Sequence, residues 1–162
     1  MRDGSQRTLQ IRIATRADTP VMIAIVNEAF SIEDFIDGTR TDEARMSGLM
    51  EKGAFLVGED EGRIVASVYC EIRGERAYMG MLAIDPAQQG RGLGRLMTEA
   101  AEDYCRKNGC KFLDIAVLSL RPELPPLYRK FGFVETGTEE FKPSVPLKAG
   151  YECYAIKMSK AL

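Results

Sequence analysis

Residues 85–97 read "DPAQQGRGLGRLM". Glycines at positions 90, 92 and 94 alternate with Arg91 and Leu93, and Arg95 follows. From Leu93 onward apolar residues recur at helical spacing through Leu96, Met97, Ala100, Ala101, Tyr104 and Cys105, until "NGC" stops the pattern. The preceding "MLAID" has the composition of a strand. The stretch therefore reads as a strand-to-helix loop. Such a loop gathers unpaired backbone N–H groups at the positive end of a helix dipole, and glycines let an anion come close to them. It predicts a phosphate cradle, to which the Arg91 and Arg95 side chains either add charge-assisted bonds or remain solvated.

Working outward, "LQIRIATRAD" alternates at Leu9, Ile11 and Ile13 as a half-buried strand, and Asp18 with Pro20 marks a helix running to about Phe30. Thr41, Asp42 and Glu43 open a second short helix that ends near Gly53. "AFLVGEDEGRIVASVYCEIRGERAYMGMLAID" holds three β-rich runs separated by "EDEG" and "RGER", an antiparallel meander. After the glycine loop and its helix come a strand "KFLDIAVL", a short helix "PPLYRKFG", and two more strands in "FGFVETGTEEF" and "YECYAIKMS". The expected class is α/β (α+β): one domain over residues 1–162, with a mixed, mostly antiparallel sheet and helices on both faces. Residues 1–8 read as a flexible N-terminus.

Three kinds of phosphate loop compete for the glycines. A P-loop needs GxxxxGK followed by Ser or Thr, and no such lysine is present. A dinucleotide-binding oxidoreductase needs GxGxxG directly after a strand; here the spacing is GxGxG, "DPAQQ" intervenes, and an upstream meander does not begin a doubly wound sheet. Asp114, twenty residues past Gly94, is what that reading retains. The third loop rests on a resemblance. Gln89, Gly90, Arg91, Gly92, Leu93 and Gly94 resemble the Q/R-x-x-G-x-G/A signature of the GNAT superfamily of acyl-CoA N-acyltransferases. "LYRKFGFVETG" is similar to that family's second signature, and the order of elements resembles its fold from Leu9 to Met158.

The resemblance implies N-acetyl transfer from acetyl-CoA to a primary amine by direct attack. Backbone N–H groups from Gly90 to Arg95 would hold the coenzyme A pyrophosphate. The strand end at Leu82, Ala83 and Ile84 would pair with the pantetheine arm, in a groove where the fourth and fifth strands splay apart. A backbone N–H near Leu82 would polarise the thioester carbonyl. Tyr128, matching the family's tyrosine, would act as general acid on the departing thiolate, since a phenol with pKa near 10 keeps its proton at neutral pH. The glutamates that family members use as base align with Tyr78 and Ala116, so neither is present. Asp114, two residues before Ala116, and Glu71, closing the third strand, are the substitute bases; a water chain is the alternative. Where the family often has an asparagine, this chain has Arg121, either solvated or facing a phosphate or an acidic substrate. A non-catalytic acyl-CoA sensor would keep the same loop.

In this fold the acceptor lies against "AFSIEDFIDGTRTDE" and "EEFKPSVPLKAG". The acids Glu33, Asp34, Asp37, Asp42 and Glu43 would attract a cationic amine, on a small molecule or a peptide, with Phe30 and Phe35 as walls. The "KPSVPLKAG" excursion suits a homodimer contact.

Bulk composition agrees with this reading. With 162 residues, 45% of them hydrophobic, the chain can bury one core. Its 22 basic and 24 acidic residues leave no footprint for nucleic acid or an anionic membrane. The sequence has no histidine, so no metal is expected and acid/base work falls to other groups. Cys70, Cys105, Cys110 and Cys153, without CxxC spacing, read as buried hydrophobes of a reducing compartment. The absence of an apolar leader or span predicts a cytoplasmic protein.

Overall fold

The computed structural model describes residues 9–141 and 146–162; the predicted flexible N-terminus, residues 1–8, and part of the "KPSVPLKAG" excursion lie outside the described residues. In chain order the elements are β1 (Gln10–Ile13), α1 (Thr19–Ala29), α2 (Glu43–Lys52), β2 (Ala54–Asp60), β3 (Arg63–Arg73), β4 (Arg76–Ile84), α3 (Leu93–Lys107), β5 (Phe112–Leu118), α4 (Leu124–Lys130), β6 (Val134–Glu140) and β7 (Tyr154–Ala161). The described strands form one sheet in the order β1-β2-β3-β4-β5-β7-β6. β4 and β5 run parallel, and the remaining ladders are antiparallel. The meander is therefore present as read.

Alternation along β3 distributes the core between the two faces. Tyr69 joins Phe55, Val57 and Ala83 under α1 and α2, which contribute Met22, Val26 and Met46. Val68 and Cys70 face the other way, against Leu93, Met97, Ala101 and Cys105 of α3. Helices thus cover both faces, as the amphipathic stripe of α3 requires. Polar groups inside that stripe are satisfied. The Thr98 hydroxyl donates to the Gly94 carbonyl (2.8 Å). Glu102 accepts from Lys160 (3.0 Å), whose ammonium also donates to the Phe131 carbonyl (2.8 Å). That ion pair ties α3 to β7 and to the loop after α4.

Two expectations are corrected. Ile11 and Ile13 are exposed (38% and 54%), and only Leu9 and Ala14 at the strand ends are buried. β1 is an outer strand, and the helices pack over β2, β3 and β4, so alternation in β1 has no core to meet. Cys70, Cys105 and Cys110 are buried, whereas Cys153 is only half-buried. Among the described residues no helix is long and apolar enough to cross a membrane.

Candidate active site

β4 and β5 pair through only three positions: Arg76 with Phe112, Ala77 with Leu113 and Tyr78 with Asp114. Beyond Tyr78 the two strands continue without pairing to each other, so they part toward their C-terminal ends. A β-bulge contributes. Ser67 pairs with Ala83 and Tyr69 with Gly80, so Met81 and Leu82 together oppose Val68. The extra residue leaves the ladder and twists the strand. Met81 takes φ 51°, a conformation that costs an L residue about 1–2 kcal/mol.

The gap between the strands is a cavity of about 260 Å³. Leu82 and Ile84 line it along β4, with Gln89 and Gly94 from the loop and Tyr78 and Tyr128 further along the wall. From Ile84 to Tyr78 is roughly 20 Å of strand at about 3.3 Å per residue. Ala83, between the two lining residues, is buried, and on its other side it pairs with Ser67.

At the loop, Gly90 and Gly92 hold φ of 86° and 74°, and Gly92 caps α3 in the left-handed conformation. The Leu96 N–H donates to the Gly92 carbonyl at 3.2 Å. By helix geometry the N–H groups of Leu93, Gly94 and Arg95 precede the intrahelical ladder and point out of the N-terminus. A Cβ placed on Gly90, Gly92 or Gly94 would meet nothing within 4 Å, so the loop presents open backbone rather than a packed surface. The arginine side chains turn elsewhere. Arg91 donates to Gln88 and reaches buried Asp60 at 3.5 Å. Arg95 lies over the Phe131 ring at 4.8 Å and donates to the Lys130 carbonyl.

Tyr128 stands edge-on to Phe131 and Phe133, with centroids 5.9 and 5.7 Å away. Burial pushes its hydroxyl up to about 12, against a counter-pull from Arg121. Burial raises the Tyr78 hydroxyl as well. Its ring lies over Gly80, where a Cβ would come within 2.8 Å, so a side chain at 80 would displace it.

The two carboxylates named from sequence are not brought into this groove. Asp114 is gripped by Arg76 through a two-pronged ion pair (2.6 and 2.8 Å), which holds its carboxyl below the usual range. It faces an adjoining cavity that shares Arg40, Tyr78 and Ala116 with the groove. Glu71 accepts from the Tyr69 hydroxyl (2.7 Å) and from Arg73 (2.6 Å), and these bonds lower its pKa too.

The groove does receive one of the acids expected to attract a cationic amine, but paired with arginines. Glu33 is buried; its Oε1 accepts from Arg40 and its Oε2 from Arg121 at 2.7 Å. All three line the cavity. Arg121, expected at the surface or on a ligand, has a side chain only 14% exposed. Phe30 lines the groove as expected, but Phe35 is buried against Ile36 and Leu118. Asp42 is the N-cap of α2, accepting from the Arg45 N–H at 2.9 Å. Glu33 was read only as one acid of an acid-rich stretch, and nothing in the sequence singled out Arg40 as its partner.

Comparison with known proteins agrees with this geometry. The model of the acetyltransferase (GNAT) family matches residues 20–133. Mycothiol acetyltransferase of Beutenbergia cavernae is 32% identical over 81 residues, 49% of this chain and 27% of that protein. Of three curated relatives, the chain spans 27%, 38% and 63% of the length. Ribosomal-protein-alanine N-acetyltransferase from Brucella melitensis superposes with TM-score 0.76 at 25% identity, covering 95% of this chain and 100% of that one. A Bacillus subtilis acetyltransferase in complex with CoA shares the fold at TM-score 0.74 and 13% identity, covering 96% and 99%. A splayed parallel pair, an open glycine loop at its mouth and a match over residues 20–133 converge on one conclusion: the chain belongs to the acetyltransferase (GNAT) family.

Proposed function

We propose that the chain transfers the acetyl group of acetyl-CoA to a primary amine by direct attack within a ternary complex. The observation that carries this reading is the three-pair limit of the β4–β5 ladder, which opens a groove from the glycine loop to two tyrosine hydroxyls. The pyrophosphate binds the backbone of Gly90, Arg91, Gly92, Leu93, Gly94 and Arg95, beside Gln89. The pantetheine arm extends β4 by pairing with Leu82, Ala83 and Ile84.

The amine nitrogen attacks the thioester carbonyl, the new C–N bond forms and the C–S bond breaks. The residue left out of the ladder by the Met81–Leu82 bulge offers its N–H to the carbonyl oxygen. Tyr128 donates toward the departing sulfur. With its hydroxyl at about 12 and a thiol near 8.5, complete proton transfer runs uphill by about 5 kcal/mol. Its contribution is thus a hydrogen bond to the developing thiolate, which water then protonates. The amine proton leaves through the adjoining cavity by way of water, with Asp114, which lines that cavity, as the base; Glu71 is the other candidate.

A non-catalytic acyl-CoA sensor is the second reading, favoured by the groove's lining carboxylate, Glu33, being held by two arginines. The experiment is a melting screen with acetyl-CoA, CoA and NAD, followed by thiol release from acetyl-CoA across an amine panel. Stabilisation by acetyl-CoA with amine-dependent thiol release supports the enzyme. Stabilisation without acceptor-dependent release supports the sensor, and stabilisation by NAD alone removes both.

A further inference from the structure

We infer that the acceptor amine carries an oxyanion, a carboxylate or a phosphate, and that Arg40 and Arg121 receive it. This rests on the acyl-transfer reading and names the class of its acceptor. Arg40 and Arg121 line the same cavity as Tyr78 and Tyr128, so the pair stands at the tyrosine end of the groove.

The arrangement is preorganised. Glu33 binds one guanidinium through each oxygen, Arg121 is further held by Glu123 at 2.8 Å, and Arg40 is stacked on Phe30 at 4.6 Å. Each guanidinium has five N–H donors in a rigid fork, and Glu33 takes one from each. Of the charged side chains that line the cavity, two are guanidiniums and one is the Glu33 carboxylate, with Arg40 and Arg121 only 23% and 14% exposed; Glu123, outside the lining, is the second partner of Arg121. After Glu33 and Glu123 have accepted from them, both guanidiniums keep further N–H donors on the cavity wall, and enclosed donors are costly to leave unmet. Acetyl-CoA does not meet them. Its phosphates belong at the glycine loop, and the thioester is neutral. The group left to meet them is on the amine substrate, and two forks facing one gap suit an oxyanion bound through both oxygens. The same two guanidiniums on the wall disfavour polyamines and other polycations, the reverse of what the acid-rich loop suggests.

The test measures thiol release from acetyl-CoA with matched acceptors: L-amino acids against their primary amides, phosphoethanolamine against ethanolamine, and spermidine. The oxyanion member should be preferred at least tenfold in kcat/KM, and the two pairs distinguish carboxylate from phosphate. Arg40→Gln and Arg121→Gln should each raise KM for the anionic acceptor at least tenfold, and Arg40→Lys should recover part of the loss. Stabilisation by acetyl-CoA, retained in each variant, shows that fold and donor site survive. Amides, ethanolamine or spermidine reacting as well as their anionic counterparts would overturn this inference and leave acyl transfer standing. Acetyl-CoA binding without transfer to any acceptor would remove the acyl-transfer reading, and the inference with it.

Discussion

Gly92→Glu should abolish coenzyme binding, and two alanine variants separate the causes. Gly92 has φ 74° and ψ 16°, and its Cβ would meet nothing within 4 Å. Gly92→Ala therefore carries only the left-handed backbone cost, about 1–2 kcal/mol. For a chain of this size that lowers the melting temperature by roughly 2–8 °C. Gly94 has the same open space but lies in the first turn of α3 without a positive φ. Gly94→Ala should thus stabilise by about 0.5–1 kcal/mol. Acetyl-CoA at a hundred times its Kd adds about 2.7 kcal/mol, a rise of roughly 5–11 °C. In Gly92→Glu that rise should vanish, because a carboxylate then occupies the space meant for phosphate. The assay is thermal unfolding with and without acetyl-CoA, backed by calorimetric titration. A full ligand-induced rise in Gly92→Glu would refute the cradle, and equal destabilisation by the two alanines would refute the backbone argument.

Tyr128→Phe should lower kcat about 10- to 100-fold with acetyl-CoA binding unchanged, since a hydrogen bond to sulfur is lost and little else; unaltered turnover removes Tyr128 from the mechanism. Because its hydroxyl is raised to about 12, wild-type activity should show no alkaline loss near pH 10, which a pH–rate profile checks. Asp18 is held down to about 2, chiefly by its hydrogen bond from Arg12. Its contribution is present above the unfolded value near 3.9 and is lost as pH falls from about 4 to about 2. Asp18→Asn should therefore flatten that part of the acid-unfolding curve, and an unchanged curve counts against the pair. Lys160→Met leaves Glu102 buried without its ammonium and should cost about 3 kcal/mol in denaturant unfolding; a cost below about 1 kcal/mol would mean that Glu102 finds other compensation.

Local patterns were legible because each depends on neighbours in sequence. The stop signals after α3, the proline and glycine limits of α4, and the turn residues of the meander act within a few positions, and the elements lie where those signals set them. The alternation at Ile11 and Ile13 misled because it states which face a residue takes, not whether anything covers that face. Asp114 was chosen by strand parity and Glu71 by its place at the end of the third strand, and neither criterion holds information about Arg76 or Arg73 occupying their oxygens.

The sequence by itself determined the element order, the glycine loop opening a helix, and through its two signatures the family. These are carried by backbone requirements that only particular residues meet, such as the left-handed cap at Gly92. Tertiary structure alone decided what lines the tyrosine end of the groove. Glu33, Arg40 and Arg121 come from two loops far apart in the chain, and an ion pair spanning 88 residues leaves no periodic trace. Their burial puts two guanidiniums on a wall that the acid-rich stretch alone would not suggest, because charge counts along a chain do not say which partners a fold will bring to each carboxylate.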